Sequence, residues 1–445
     1  MTERSIDRRP QVQAAIVIHP VRPKAGGLRA PEQRLEEAVA LAAALDLDVR
    51  EALIVPLRAT VPATLFGKGK VEEIAAVCRG LEADVVVVDD ALTPVQQRNL
   101  ERAWQVKVID RTGLILEIFA RRARTREGRL QVELARLAYE RSRLVRTWTH
   151  LERQRGGLGA MSGPGETQIE TDRRLLADRI GRLKRELEEV RRTRGLQRKA
   201  RGRVPFPILA LVGYTNAGKS TLFNRLTEAK ALAKDMLFAT LDTTQRAVRL
   251  PDGRPAILSD TVGFISDLPH ELVEAFQATL EEVQAADVIV HVRDIASDET
   301  EAQAADVETV LESLDAGPSS DKVIVEVWNK IDLLAPEDRA DLLARADRPV
   351  GSIAPRSVAV SAVTGQGCER LLAVLADLVD QGAPLHGHFA AAEGEALAWL
   401  YRHGRVLDRA DEEGGGVKVS VRLDAQALGR FERLFPDVAL GETAG

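Results

Sequence analysis

Cysteines and long apolar runs are scarce in this chain of 445 residues. The two cysteines, Cys78 and Cys368, are too few for a disulfide framework and match no metal-binding spacing. No apolar run approaches the length that crosses a bilayer, and the first residues contain no signal-peptide core. We therefore expect a cytoplasmic protein without a membrane segment.

The remaining composition, 45% hydrophobic and 29% charged, is that of an ordinary globular protein, and the length suggests about three or four domains. The net charge of −5 is unevenly distributed, because residues 121–203 contain 24 Lys/Arg against 11 Asp/Glu. A strongly basic segment on an acidic protein is typical of a surface that binds a polyanion, whereas the alternative is a solvated, charged helix face. We favour nucleic acid as the partner of this segment.

A glycine-rich motif follows a short apolar strand at residues 208–212 and precedes a helix pattern. It has the spacing G-x-x-x-x-G-K-S of a phosphate loop, in which backbone N–H groups surround phosphates at a helix N-terminus. Lys219 can reach the β and γ phosphates, and the Ser220 hydroxyl can ligate Mg²⁺. The predicted nucleotide contacts here are Gly213, Tyr214, Thr215, Asn216, Ala217, Gly218, Lys219, Ser220 and Thr221.

A second motif, N-K-x-D, follows another apolar strand at residues 323–328 and comprises Asn329, Lys330, Ile331 and Asp332. Open α/β sheets bind ligands at the carboxyl ends of their strands. The Asp332 carboxylate can accept two hydrogen bonds from guanine N1–H and the exocyclic amine, a donor pair that adenine lacks. We therefore expect GTP rather than ATP as the nucleotide.

The segments between these motifs predict the metal site and the γ-phosphate sensor. Asp260, Thr261, Val262 and Gly263 form a D-x-x-G motif in which Asp260 holds Mg²⁺ through water and the Gly263 N–H faces the γ phosphate. A segment upstream offers a second Mg²⁺ contact through the hydroxyl of Thr240. The predicted nucleotide contacts of this segment are Phe238, Ala239, Thr240, Leu241 and Asp242. Thr243 and Thr244 are rival candidates for that contact on spacing alone.

The residue after Gly263 is Phe264, where Ras-like GTPases usually carry a glutamine that orients the attacking water. Phenylalanine cannot orient water, so hydrolysis must use another group or a partner. Gln245, His270 and Gln277 lie nearby in sequence, and the sequence singles out none of them.

The patterns on either side of the GTPase motifs predict further domains. Strands and helices alternate up to residue 121, which indicates a parallel sheet. Two leucine-rich stretches with seven-residue spacing then predict an antiparallel coiled-coil hairpin, although two helices packed on the rest of the protein would give the same pattern. Their joining loop, 155–167, contains five glycines and a proline. It could contact RNA through Arg155, Gly156, Gly157, Gly163 and Gly165, and the alternative is a plain linker.

The sequence therefore predicts a multidomain α/β protein. We expect an N-terminal α/β domain (1–121), a basic helical hairpin (122–203), a Ras-like P-loop GTPase domain (204–380) and a small α+β C-terminal domain (384–445).

With these motifs together, the chain resembles the HflX family of ribosome-associated GTPases. The resemblance implies that Thr240 is the Mg²⁺ threonine, that Lys219, Thr240 and Gly263 act in catalysis, and that Ser361, Ala362 and Val363 complete the base pocket. It also implies a GTP hydrolase that binds the large ribosomal subunit and splits stalled ribosomes under stress, with the hairpin near the peptidyl-transferase region. We expect a monomer. The alternative function is a GTP-gated binding protein in which hydrolysis is slow and incidental.

If Asp332 reads the guanine base, its replacement by asparagine should move the preference of the protein from GTP to XTP, because xanthine carries an oxygen where guanine carries an amine. Competition between the two nucleotides in an equilibrium binding assay measures the change. An unaltered preference for GTP in the Asp332→Asn variant would remove the N-K-x-D motif from the base pocket.

Overall fold

The computed structural model of the chain describes residues 12–22, 29–154, 164–201, 206–227, 237–238, 240–267, 277–320, 322–346, 357–379, 385–411, 416–423 and 425–441. In these ranges the chain forms three β-sheets with helices packed on them and a pair of long helices. This arrangement confirms the predicted multidomain α/β class. None of the described helices combines the length and the apolar character that spanning a bilayer requires.

The N-terminal unit is a four-stranded parallel sheet in the order β2-β1-β3-β4 with helices on both faces. Its most buried strand, β3, consists of four valines, as expected for a parallel strand covered on both faces. A capping box starts α3, where the Thr93 hydroxyl accepts the Gln96 N–H at 3.2 Å and Pro94 takes the first helical position. The elements are β1 (Ala14–Val21), α1 (Pro31–Ala43), β2 (Asp48–Pro56), α2 (Lys68–Gly80), β3 (Val85–Val88), α3 (Pro94–Trp104), β4 (Lys107–Asp110) and α4 (Arg111–Arg122).

Two long helices follow, α5 (Arg126–Gln154) and α6 (Pro164–Arg201). Their shared apolar seam contains leucines at the predicted seven-residue spacing, namely Leu130, Leu134, Leu137, Leu183 and Leu187, together with Val190. Helix α6 begins at Pro164, inside the predicted joining loop 155–167, because proline suits the first helical position, where an N–H would have no helical partner. Gly165 therefore lies in a helix and not in the predicted loop. The other proposed RNA contacts, Arg155, Gly156, Gly157 and Gly163, lie outside the described residues.

The GTPase unit is a six-stranded sheet in the order β10-β9-β8-β5-β7-β6, in which only β6 is antiparallel. The central strand β5 delivers the phosphate loop, and β7 and β9 deliver the other two motifs at the same edge. Strand β8 is not among the predicted strands. The elements are β5 (Ile208–Val212), α7 (Lys219–Thr227), β6 (Thr244–Arg249), β7 (Pro255–Asp260), α8 (Gln277–Gln284), β8 (Val288–Asp294), α9 (Thr300–Ser313), β9 (Val323–Asn329), a 3₁₀ turn (Ile331–Leu333), α10 (Pro336–Ala346), β10 (Ser357–Ala359) and α11 (Cys368–Val379).

The C-terminal unit is a three-stranded antiparallel sheet in the order β11-β13-β12, with two helices on it. Phe389, Val419, Val421 and Phe431 are buried between the sheet and the helices. Strands β11 and β12 are not among the predicted elements. The elements are β11 (Leu385–Phe389), a 3₁₀ turn (Ala391–Glu393), α12 (Gly394–His403), β12 (Arg405–Asp411), β13 (Val417–Arg422) and α13 (Ala425–Leu434).

The N-terminal and GTPase units share one hydrophobic cluster and one buried ionic cluster. The Arg111 guanidinium forms ion pairs at 2.5 Å with both Glu37 and Asp89, and it also donates to the Ser266 carbonyl at 3.0 Å. Burial alone would lower the pKa of Arg111, but the two carboxylates raise it above its ordinary value. The side chain therefore stays charged and ties both units together.

Replacing Arg111 by alanine should strongly lower the thermal stability of the protein, because it removes the ion pairs of the buried Asp89 and the partly buried Glu37. Breaking such a buried pair typically costs about 3–5 kcal/mol. Arg121→Ala is the matched control, since Arg121 pairs with Asp46 at 2.9 Å on an exposed surface where ion pairs contribute little. Equal melting temperatures for the two variants would show that the buried cluster does not stabilise the fold.

Candidate functional site

The phosphate loop runs from β5 into α7 with a backbone that requires glycine. Gly218 has φ +96°, and a Cβ atom built on it would lie 2.2 Å from Asn329 Nδ2. Any other residue would strain the backbone and displace the amide. The loop N–H groups therefore curl at the N-terminus of α7, which is the arrangement that binds phosphate oxygens.

Lys219 lies buried inside this loop. Its Nζ donates hydrogen bonds to the carbonyl oxygens of Gly213 at 2.9 Å and Tyr214 at 2.7 Å. Burial lowers the pKa of Lys219 to about 8, against the opposing effect of Asp260. A phosphate group in the loop would supply the anionic partner that this buried ammonium needs.

The three residues predicted to hold Mg²⁺ lie within hydrogen-bond distance of one another. Ser220 Oγ is 2.8 Å from Thr240 Oγ1, and these hydroxyls donate to Asp260 Oδ2 at 2.7 and 2.9 Å respectively. The other oxygen, Asp260 Oδ1, is buried without a hydrogen-bond partner among the described residues. Burial raises the pKa of Asp260, while Lys219 and the two hydroxyls oppose that rise. Hydroxyl and carboxylate oxygens are ligands that Mg²⁺ prefers, so these residues fit the ion.

The base-binding side of the site is connected to the phosphate loop through Asn329. Its amide donates to the Ala217 carbonyl at 2.8 Å, and its carbonyl oxygen accepts the Ala362 N–H at 3.0 Å. Lys330 has φ +67° and donates to Asp294 Oδ2 at 2.7 Å, while the half-buried Asp332 lies in the 3₁₀ turn that follows. The residues predicted to bind the base therefore lie in two adjacent loops.

The loop at residues 361–363 is held in place by side-chain contacts. Ser361 is buried, and its Oγ accepts the Thr364 N–H at 3.1 Å. Arg225 of α7 donates to the Ala362 and Val363 carbonyls. The Val363 side chain is 65% exposed, so this residue can cover a bound base but is not itself buried.

Several predicted site residues direct their side chains away from the nucleotide position. Phe238, Leu241 and Val262 are buried in the shared hydrophobic cluster, and the Thr261 hydroxyl donates to the Leu211 carbonyl at 2.7 Å. These residues can offer only backbone groups to a nucleotide. Ala239 lies outside the described residues.

Tyr214 is the clearest departure from the sequence-based interpretation. Its hydroxyl donates to Glu37, and it accepts hydrogen bonds from Arg29 at 3.0 Å and from the Ser266 N–H at 2.9 Å. Burial, reinforced by Glu37, raises the pKa of Tyr214. The side chain thus binds the N-terminal unit, a role that no local pattern could reveal because Glu37 and Arg29 lie far away in sequence.

Comparisons with known proteins decide the family. Four family models match successive parts of the chain: "GTP-binding GTPase N-terminal" (32–120), "GTP-binding GTPase Middle Region" (122–201), "50S ribosome-binding GTPase" (208–330) and "HflX C-terminal domain" (350–441). GTPase HflX of Magnetococcus marinus is 50% identical over 422 residues, which are 94% of each chain. The chain belongs to the HflX family of GTPases.

A second relative agrees with this assignment. GTPase HflX of Escherichia coli K12 is 44% identical over 87% of this chain and 89% of its own length. A crystal structure of SsGBP with GDP is 25% identical and covers 83% of this chain and 99% of that chain, with a TM-score of 0.47. As a member of this family, the protein is a GTPase.

The family model of the C-terminal domain begins at residue 350, before β10. In the structure, β10 pairs with β9 of the GTPase sheet, and α11 packs in the core of the same unit. The last structural unit therefore starts after α11. The domain limits given by the sequence patterns remain predictions.

Replacing Asn329 by alanine should weaken GDP binding by roughly tenfold or more, because it leaves a buried carbonyl and a buried N–H unpaired. Titration with a fluorescent GDP derivative measures the affinity. Asn99→Ala is the control, since Asn99 makes a similar bond to the Ala63 carbonyl at 2.9 Å but lies in the N-terminal unit. An Asn329→Ala variant that binds GDP as tightly as the unmodified protein would contradict the bridging role.

Proposed function

We propose that this GTPase uses Mg²⁺ to hydrolyse GTP in a cycle that controls its association with the large ribosomal subunit, and that the cycle splits or rescues stalled ribosomes under stress. The observation that carries the catalytic part is the convergence of Ser220, Thr240 and Asp260 beside the buried Lys219. The expected cytoplasmic, monomeric state belongs to the same proposal.

The residues of the chain supply most of the charge stabilisation that phosphoryl transfer needs. Lys219 and the loop N–H groups neutralise charge on the β and γ phosphates. A Cβ atom built on Gly263 would lie 3.0 Å from Lys219 Nζ, so this residue lies beside the phosphate loop, and we assign its N–H to the γ phosphate. When bound, Mg²⁺ held by Ser220 and Thr240, with Asp260 acting through water, would balance the charge that develops on the phosphate oxygens.

The surroundings of Phe264 support a partner-dependent reaction. Phe264 is buried, its N–H donates to the Gly213 carbonyl at 3.1 Å, and its carbonyl accepts the Thr215 N–H at 2.7 Å. This backbone pairing directs the ring into the core, so the side chain does not orient water. A polar side chain at this position would lose free energy on burial unless it found a hydrogen-bond partner. Gln245 is exposed on the edge strand β6, and His270 lies outside the described residues.

The basic hairpin and the family support the ribosomal partner. The outer surface of α6 carries exposed arginines, including Arg173, Arg174, Arg182 and Arg185. Such side chains neutralise phosphates, and the released counterions make binding favourable and salt-dependent. The matching family model is described as a 50S ribosome-binding GTPase, which is the property proposed for this chain. The alternative is a GTP-gated binding protein in which hydrolysis is slow and incidental, and the absence of a water-orienting side chain at Phe264 leaves this alternative open.

Single-turnover hydrolysis with and without purified large ribosomal subunits tests the proposal. We expect slow hydrolysis by the free protein and an acceleration of roughly a hundredfold, which corresponds to about 3 kcal/mol of added transition-state stabilisation. Equal rates would mean that the free protein already holds a complete catalytic site.

Deletion of residues 155–167 is the companion variant. It should weaken co-sedimentation with large subunits, and abolish the acceleration, while GTP affinity stays unchanged. Loss of GTP binding in the deletion variant would instead show that the hairpin is part of the GTPase core.

A further inference from the structure

The segment that carries Thr240 is anchored by elements outside the GTPase sheet. The Phe238 ring packs edge to face on Phe119 of α4, with ring centroids 4.7 Å apart. Leu241 is buried in the same cluster as Val132 and Ala135 of α5. Phe238 adopts φ +53°, which is uncommon for a bulky residue and is maintained here by this packing.

Asp242, two residues after Thr240, is bound to the start of the hairpin. Its Oδ2 accepts the N–H groups of Arg124 and Thr125 at 2.8 and 2.9 Å, and its Oδ1 accepts the Thr125 hydroxyl at 2.5 Å. Thr125 Oγ1 in turn accepts the Gly128 N–H at 2.9 Å, as a helix N-cap does. The carboxylate thus extends the cap of α5 and lies at the positive end of the helix dipole.

Gly128 provides the space for this contact. A Cβ atom built on Gly128 would lie 2.2 Å from Asp242 Oδ1, so alanine there must displace the carboxylate. The displaced group is the end of a solvent-accessible side chain, and the other close atom, Thr125 Oγ1 at 3.1 Å, needs to move by only a few tenths of an ångström. The structure therefore offers a substitution that breaks the contact without touching the GTPase domain.

We propose that Asp242 is a positioning residue for the reaction: held by the first turn of α5, it keeps Thr240 beside Ser220 and Asp260. Two residues span at most about 7 Å of extended chain, so Asp242 and Thr240 cannot move independently. The metal site and the base of the hairpin are consequently coupled, and by linkage each favours the conformation that the other requires. This inference depends on the proposed Mg²⁺ role of Thr240 and not on the ribosomal partner.

Two pairs of variants test the coupling. In Mg²⁺, Gly128→Ala and Thr125→Val should each lower the affinity for a non-hydrolysable GTP analogue and the single-turnover rate by roughly tenfold. GDP affinity should not change, because the threonine contact requires the γ phosphate and its metal ion. The controls are Gly181→Ala, on α6 where nothing lies within 4 Å of the added methyl group, and Thr125→Ser, which keeps the hydroxyl; both should behave as the unmodified protein does.

Hydrogen exchange gives a measurement that does not depend on turnover. With Mg²⁺ and the GTP analogue, the amides of Arg124 and Thr125 should exchange more slowly than with GDP, because the ordered segment holds its carboxylate against them. In Gly128→Ala this difference between nucleotides should disappear.

Three outcomes would overturn the inference: analogue affinity and rate unaltered in Gly128→Ala and Thr125→Val, an equal loss of GDP affinity, or Thr125→Ser as impaired as Thr125→Val. Thr240→Ala separates this failure from failure of the proposed metal site. If Thr240→Ala is impaired while the α5 variants are not, the coupling is wrong. If Thr240→Ala itself retains full Mg²⁺-dependent hydrolysis, the proposed metal role is wrong and the coupling fails with it.

Discussion

A single buried guanidinium joins the N-terminal sheet to the GTPase domain. Removing a cation and its carboxylate partners from water costs several kcal/mol per ion, and only close, well-bonded partners offset that cost. Arg111 has such partners in Glu37 on α1 and Asp89 after β3, both at 2.5 Å, and in Ser266 after the D-x-x-G motif. Because these groups come from separate elements, a shift of Glu37 or Asp89 would remove an ion pair from the buried guanidinium. Together with the shared hydrophobic cluster, this ionic cluster constrains the relative position of the two units.

The buried ionic cluster also fixes the phosphate loop. Glu37, fixed by Arg111, accepts hydrogen bonds from Tyr214 in the loop and from the Ser266 hydroxyl, and the Ser266 N–H donates to Tyr214. The phosphate loop and the D-x-x-G segment are also joined by backbone hydrogen bonds of Phe264. The two segments that we propose to face the γ phosphate are thus held by residues outside the GTPase fold. In this protein the residue after Gly263 is Phe264, whose ring packs in the core. This packing explains why an aromatic residue occupies the position at which Ras-like GTPases usually carry the glutamine that orients water.

The sequence predicted those features that depend on residues close together in the chain. From its patterns alone, the sequence predicted the phosphate loop, the alternating strands and helices up to residue 121 and the leucine spacing of the hairpin, because each depends on neighbours within one element. It did not reveal β11 or β12, whose sequences Leu385–Phe389 and Arg405–Asp411 lack an apolar strand pattern and depend on pairing with β13. Nor could it assign Tyr214 to Glu37 or Asp242 to Thr125, since contacts across more than a hundred residues leave no periodic signal. Those long-range contacts are where the site departs from the generic GTPase pattern.

The two polar attachments of the GTPase site differ in burial, and this difference indicates which of them opens more easily. The Arg111 cluster is buried, so opening it would expose unpaired charge to a low-dielectric interior. The Asp242 contact lies at the solvent edge, where water can replace each hydrogen bond at small net cost. A nucleotide-dependent change should therefore open the contact of Asp242 with α5 first and leave the N-terminal unit fixed on the phosphate loop. We therefore expect the segment that carries Thr240 and Asp242, rather than the N-terminal sheet, to respond first to the γ phosphate.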